Sequence, residues 1–193
     1  MKKVLLYSGG MDSYIISKLW NPDVRLYIDY GTNQTKIERS RLPDDVIVVD
    51  LPLSQFMSDD GKNVIKLRNL IFAAIAVNFG DIVALGGVAD DVHFDSSEEF
   101  VNAETELFNK FFRTEGLNDV KIVVPYKNYT KEELLDLYVS SGYSLDELIE
   151  NSWSCYNPTD AGTECGECIA CKRKISAIEY VVKKYGGIKN GEI

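Results

Sequence analysis

Five short apolar runs punctuate the first two thirds of the chain: KKVLLY (2–7), VRLYIDY (24–30), VIVVDL (46–51), DIVALGG (81–87) and KIVVPY (121–126). Each is rich in β-branched or aromatic residues and bounded by polar, glycine or proline positions, the pattern of a buried strand. Between and after them lie stretches with helical spacing or continuous apolar character, at 13–20, about 33–41, 66–79, 98–113 and 130–141, and a last one from Cys168 to Tyr185. Thr130 and Glu133 form a capping-box pair ahead of LLDLY, which fixes the start of one helix. Strand and helix alternate, so the pattern predicts an α/β fold with a doubly wound, mostly parallel, five-stranded sheet. Such sheets bind ligands beyond the carboxyl ends of their strands, where strand order reverses, and the first strand is commonly central. The loop after Tyr7 is therefore the expected site. No internal repeat or low-complexity tract interrupts the alternation.

Composition narrows the class. With 193 residues, 45% apolar and 26% charged, the chain supports one well-buried domain with room for a small appendage. The expected division is 1–150 for the α/β body and 151–193 for a cysteine-bearing segment and C-terminal helix, packed as one compact unit. The tail KKYGGIKNGEI reads as frayed and solvated. No run approaches the roughly 18 apolar residues needed to cross a bilayer, and the first run is broken at Ser8, unlike a signal peptide; no membrane association and a cytoplasmic location are expected. The net charge of −9 and pI of about 4.7 argue against a long nucleic-acid surface, which needs lysines and arginines to displace counterions. An acidic surface serves solubility.

The loop after the first strand, Ser8-Gly9-Gly10-Met11-Asp12-Ser13, carries anion-binding chemistry. Two glycines allow close backbone approach and positive φ, two serines offer hydroxyls, and the following helix presents free N–H groups at its positive end. It lacks the spacing and the Gly-Lys-Ser/Thr end of a Walker A loop, and it is not GxGxxG. Near the other end, Cys155, Cys165, Cys168 and Cys171 are spaced C-x9-C-x2-C-x2-C. Tetrahedral zinc is well served by such a knuckle, with Gly166 permitting its turn and Lys172, Arg173 and Lys174 favouring thiolates. Four cysteines also suit an iron–sulfur cluster, and a disulfide needs an oxidising compartment. A site closed by four cysteines ties down a segment and leaves no position for water. His93, the single histidine, is no metal signal.

The Ser-Gly-Gly-x-Asp-Ser string resembles the signature of the PP-loop ATP pyrophosphatases. Paired with SCYNP and CGECIACKRK near the end, it is similar to the 7-cyano-7-deazaguanine (preQ0) synthase branch of that family. Further landmarks fall in order: Asp29-Tyr30-Gly31, Leu67-Arg68-Asn69 with Ile65 or Lys66 where proline is usual, Gly86-Gly87-Val88, and Pro125 with Thr130 and Lys131. The resemblance implies ATP binding by Tyr7, Ser8, Gly9, Gly10, Met11, Asp12, Ser13, Tyr30 and Arg68. It implies chemistry supported by Lys131, Arg68 and Asp12, with Mg²⁺ accompanying ATP; Asp12 would orient the loop or help place that ion. Asn69, Gly87, Asp91, Phe94 and Asp95 would contact a deazapurine carboxylate, with Asp90, Asp91 and Asp95 as the acids for its guanine-like N–H edge and Phe94 stacking on its ring. The cysteines would hold structural zinc, ammonia would be the nitrogen donor, and a homodimer is common among relatives. Two departures bear on the substrate: Phe94-Asp95-Ser96-Ser97 stands where relatives carry Tyr-Pro-Asp-Cys-Arg, and Thr32-Asn33-Gln34 replaces Gln-Arg-His. They leave open an enzyme that stops at the amide or transfers the activated acid to another acceptor. A tRNA-modifying relative would need a basic face, which −9 does not supply, and a non-catalytic zinc module would leave the glycine loop unexplained.

Overall fold

The computed structural model describes residues 1–57 and 65–186. Its strands are β1 (Lys3–Leu6), β2 (Val24–Asp29), β3 (Ile47–Asp50), β4 (Ile82–Ala84) and β5 (Lys121–Val123). The helices among the described residues are α1 (Met11–Leu19), α2 (Asn33–Arg39), α3 (Arg68–Ala76), α4 (Glu98–Thr114), α5 (Lys131–Ser140), α6 (Leu145–Asn151) and α7 (Ile169–Lys184). The sheet runs β3-β2-β1-β4-β5, and every neighbouring pair is parallel. Strand order reverses at β1, where Val4 faces Val24 on one side and Val83 on the other. The site expected beyond the first strand therefore lies at the switch point of a wholly parallel sheet.

Alternation along β1 and its neighbours feeds two cores, because successive side chains point to opposite faces. Leu5, Tyr7, Tyr27 and Ala84 pack with Ile15, Ile16, Leu134, Leu135, Tyr138, Ala177 and Val181, so α1, α5 and α7 cover that face. Val4, Leu26, Ile28, Val83 and Ile122 pack with Ala73, Ala76 and Val101 beneath α3 and α4. Both residues in the middle of β1, Val4 and Leu5, have no exposed surface. The C-terminal helix α7 thus shares the core of the α/β body.

The differences from the expected elements are local. β1 ends at Leu6, one residue early, and α1 begins at Met11, two residues before the expected start, because the loop's own N–H groups open the helix. The expected α3 of 66–79 shrinks to Arg68–Ala76. Helix α6 was not expected: its seven residues are too few to show a period, and Ser144 starts it by accepting a hydrogen bond from Glu147 N. Residues 187–193, most of the tail expected to be frayed, lie outside the described residues. Among the described residues no helix is long and apolar enough to cross a membrane.

Candidate functional site

A cavity of about 540 Å³ opens at the carboxyl ends of β1, β2 and β4. Its floor is the loop from Ser8 to Ser13. Gly9 has φ +75°, whereas Gly10, the N-cap of α1, sits at φ −70°; only the first glycine uses the left-handed freedom expected of both. Space at Gly10 is tight instead: a Cβ there would lie 3.3 Å from Ser8 Oγ, which would have to shift slightly, and in ordinary contact with the Trp153 carbonyl at 3.6 Å. Within the loop, Gly10 N donates to Ser8 Oγ at 3.3 Å, Ser8 N donates to Ser13 Oγ at 3.3 Å, and Ser13 Oγ donates to Gly10 O at 3.0 Å. Gly10 gives α1 no side-chain cap, so first-turn N–H groups remain without helical partners.

One wall carries charge. Lys131, the first residue of α5, forms an ion pair with Asp12 Oδ2, both side chains at most about a fifth exposed. Burial holds the Asp12 carboxyl above its usual range despite the adjacent ammonium, and Asp91 and Asp90 push it the same way. Its other oxygen, Oδ1, is buried and has no partner among the described residues. A lysine at a helix start opposes the dipole; here Asp90 Oδ2 accepts the Lys131 backbone N–H at 3.1 Å and supplies the negative charge that end favours. Asp91 Oδ2 accepts from Val88 N at 3.0 Å, and Lys127 Nζ fastens the same turn through Val88 O and Asp91 O.

The opposite wall is aromatic and mixed in charge. The Arg68 guanidinium lies 5.8 Å from the Tyr30 ring and 5.9 Å from that of Phe72, within cation–π range. Its Nε is buried without a partner among the described residues. Leu67, just ahead of it, adopts φ +56°, a left-handed conformation that costs a non-glycine residue about 1 kcal/mol. Glu38 accepts from Tyr27 Oη and Gln34 Nε2, each at 2.9 Å, and burial pushes its carboxyl above the usual range.

Of the residues expected in the site, Tyr7, Ser8, Gly10, Met11, Asp12, Ser13, Tyr30, Arg68, Asn69, Gly87, Asp91 and Lys131 line the cavity, and Gly9, Phe94 and Asp95 do not. Gly9 turns its carbonyl to Trp153 N, 2.8 Å away. Phe94 is 61% exposed and packs edge-on against Phe100. Asp95 is occupied with the start of α3: Asn69 N donates to its Oδ2 at 3.4 Å, and Asn69 Nδ2 donates to its carbonyl at 3.3 Å. The single-turn 3-10 helix Phe94–Ser96 directs both side chains away from the cavity. Gln34, from the departing loop 32–34, lines it as well; Glu38, His93, Trp153, Ser154, Tyr156, Arg173 and Lys174 line it without having been expected. Several adjoin the cysteines in sequence, and that adjacency was the available signal.

The four cysteine sulfurs lie within 4.8 Å of one another. A tetrahedron of thiolates about 2.3 Å from a metal has edges near ~3.8 Å, and Cys165 Sγ to Cys171 Sγ is 3.9 Å. Backbone N–H groups of Cys165 and Cys168 point at Cys155 Sγ and Cys165 Sγ at 3.2 and 3.3 Å, which suits thiolate ligands. Gly166, at φ +72°, makes the knuckle turn. These residues fit a metal ion and could hold one. The segment before them reaches the loop: Met11 N donates to Ser154 Oγ at 3.2 Å, and the Arg41 guanidinium lies 3.9 Å from the Trp153 ring centroid.

A glycine loop at a helix start, a lysine held beside it and a second wall of aromatic rings and an arginine can receive a planar ring and neutralise a string of phosphates. The family model described as queuosine biosynthesis protein QueC matches residues 27–182. A 7-cyano-7-deazaguanine synthase of Rickettsia massiliae is 28% identical over 221 aligned positions, covering 92% of this chain and 94% of its own. One from a Nitratiruptor species is 29% identical, covering 93% and 94%. An alignment of 221 positions exceeds this chain's 193 residues, so the relative carries segments that this chain lacks. Among solved structures, the U34-tRNA thiolase NcsA from Methanococcus maripaludis with its 4Fe–4S cluster aligns over 96% of this chain and 67% of its own, at TM-score 0.46 and 16% identity.

Proposed function

The chain belongs to the QueC queuosine-biosynthesis family, and on that premise we propose that it is an ATP-dependent 7-cyano-7-deazaguanine synthase. The substrate is 7-carboxy-7-deazaguanine. A carboxylate oxygen attacks the α-phosphorus of ATP, the α–β phosphoanhydride bond breaks, and pyrophosphate leaves. Ammonia then attacks the acyl carbon, AMP departs, and a proton is lost to leave the amide. The amide oxygen then attacks the α-phosphorus of a second ATP, a second pyrophosphate leaves, and one nitrogen-bound proton is lost. Loss of AMP and of the remaining nitrogen-bound proton leaves the nitrile.

The observation that carries this reading is the loop Ser8–Ser13 opening into the cavity beside the Asp12–Lys131 pair. The difficulty of the reaction is electrostatic, since a carboxylate must approach a polyphosphate of the same sign. Ser8, Gly10 and the first-turn N–H groups receive the departing diphosphate at the positive end of α1. Lys131 shifts its charge from Asp12 towards the pyrophosphate as that group leaves, a stabilisation realised in the transition state. Arg68, between Tyr30 and Phe72, neutralises the acid and orients it. Asn69, Gly87 and Asp91 face the deazapurine. Phe94 and Asp95 are replaced in that role by Glu38, whose carboxylate reaches the cavity wall. Mg²⁺ accompanying ATP supplies charge neutralisation on the phosphates, and the free oxygen of Asp12 is the group this chain offers it. The four cysteines hold structural zinc. Ammonia as donor, a homodimer and a cytoplasmic setting complete the proposal.

Incubation with ATP, ammonium and 7-carboxy-7-deazaguanine tests it. The expected result is two AMP and two pyrophosphate per nitrile, with the product identified by mass. ADP in place of AMP, or AMP formation indifferent to the acid, would overturn it. A product mass stopping at the amide assigns the shorter reaction.

A further inference from the structure

Ser154 stands one residue before the first cysteine, yet its side chain belongs to the glycine loop. Its Oγ accepts the Met11 N–H at 3.2 Å, the first N–H of α1. An ideal Cβ on Gly10 would come within 4.0 Å of the same oxygen. Among the described residues no protein atom accepts the Ser154 hydroxyl proton. The hydroxyl thus sits on the cavity wall with its proton available, beside the loop's own serines.

The backbone that carries it is held from below. Ser154 N donates to Glu164 Oε1 at 2.6 Å, while Glu164 Oε2 accepts from Lys174 Nζ at 3.0 Å. Lys174 Nζ also donates to Ser152 O at 2.9 Å, and the lysine is only 4% exposed. Trp153 N, between the two serines, donates to Gly9 O at 2.8 Å. A buried lysine with two acceptors and a carboxylate using both oxygens fix three consecutive residues against residues 9–11. This is more restraint than a connecting segment needs, and its output is the placement of one hydroxyl.

We propose that Ser154 is a further phosphate-contacting residue of the nucleotide site, and that the Glu164–Lys174 pair is a positioning device acting through it. The inference rests on the ATP-binding reading above and deepens it: the cysteine-rich segment supplies the outer wall of the phosphate cradle. When the nucleotide binds, the hydroxyl donates to an anionic phosphate oxygen, a charge-assisted bond stronger than a neutral one.

Steady-state kinetics on the metal-loaded full chain test this. Ser154→Ala is expected to raise the KM for ATP about tenfold, the value of one such hydrogen bond. The KM for the deazaguanine acid should stay at the wild-type value, and the melting temperature should fall by only a few degrees, through loss of the Met11 N–H acceptor. Ser154→Thr, which keeps the hydroxyl, should restore the KM for ATP to within about threefold. Glu164→Ala is expected to raise the KM for ATP with the bound metal retained, and the double variant should be no worse than Ser154→Ala alone, as for residues acting through one another. An unchanged KM for ATP in Ser154→Ala overturns the contact while leaving wild-type AMP formation, and so the synthase reading, intact. Additive effects in the double variant, or metal loss in Glu164→Ala, overturn the positioning role. A wild-type enzyme that forms no AMP brings down the synthase reading and this inference with it.

Discussion

Among the described residues two largely buried lysine–carboxylate pairs adjoin the glycine loop, and they are built to different ends. Lys174 and Glu164 have side chains 5% and 26% exposed, and their polar atoms meet Ser152 O and Ser154 N as well as each other. Lys131 and Asp12 are 15% and 21% exposed, yet Asp12 Oδ1 has no partner among the described residues. A buried pair recovers its desolvation cost only when its remaining donors and acceptors are satisfied. The first pair meets that condition and fastens a segment. The second does not: Asp12 Oδ1 stays unpartnered among the described residues, and both members of the pair line the cavity. Glu104 marks the far limit: 3% exposed, with neither oxygen bonded among the described residues. Burial, and secondarily the neighbouring Asp95, push its carboxyl up to about 7.

The harshest way to break the comparison removes its foundation. Glu164 adjoins Cys165, so Cys171→Ser or exhaustive chelation should dismantle the satisfied pair together with the knuckle. Structural zinc contributes about 10 kcal/mol or more in isolated fingers, and a fall in melting temperature of roughly 15 °C or more is expected by calorimetry, with ATP turnover lost. A smaller fall would show that α7 is held by its apolar face alone.

Lys174→Met attacks the satisfied pair directly and strands Glu164. About 3–5 kcal/mol of stability should go, a drop of roughly 10 °C read by thermal denaturation. Lys131→Met attacks the open pair, and the expectation reverses. The melting temperature should fall by less than half as much, because burial already favours protonation of Asp12, which can then neutralise. AMP formation should fall about 10²- to 10³-fold, the scale of one preorganised transition-state contact. If the two variants lose stability equally and Lys131→Met keeps its activity, the distinction between fastening pair and working pair is gone.

Glu104→Gln sharpens the third case and carries the smallest effect. Its folded pKa is raised from the ordinary 4.5 to about 7, so the stability it contributes is fully present below about 4.5 and is lost as pH rises through about 7. The variant should match the wild type at pH 4 and exceed it at pH 8 by up to about 3 kcal/mol. Equal denaturation curves at both pH values would mean that the carboxylate finds a partner.

Much of this architecture was readable in advance because it is written locally. The five apolar runs became the five strands, and the capping box at Thr130 and Glu133 starts α5. The place of the Ser8–Ser13 loop on the cavity was legible because a glycine-rich turn between a first strand and a helix falls at the carboxyl end of the sheet. Cys155, Cys165, Cys168 and Cys171 were legible because a knuckle needs close spacing. Phe94 and Asp95, expected at the substrate, do not line the cavity: their loop reaches the ligand side of the sheet, but the single turn over Phe94–Ser96 rotates Phe94 against Phe100 and Asp95 against Asn69. The alternation of apolar residues has no means of expressing that rotation.

What the sequence determined by itself was the order of the five strands and of the helices other than α6, the glycine loop at the start of α1, the cluster of four cysteines and the pairing of the two motifs that marks the family. Each depends on residues within one turn or one strand, where covalent spacing dictates geometry. Only the tertiary structure decided that Lys131 meets Asp12 across 119 positions and that Ser154 meets Met11 across 143. Those contacts are fixed by strand order and by how α5 and α6 lie against α1 and α7 against α5, and packing of that kind is a property of the whole core rather than of any window along the chain.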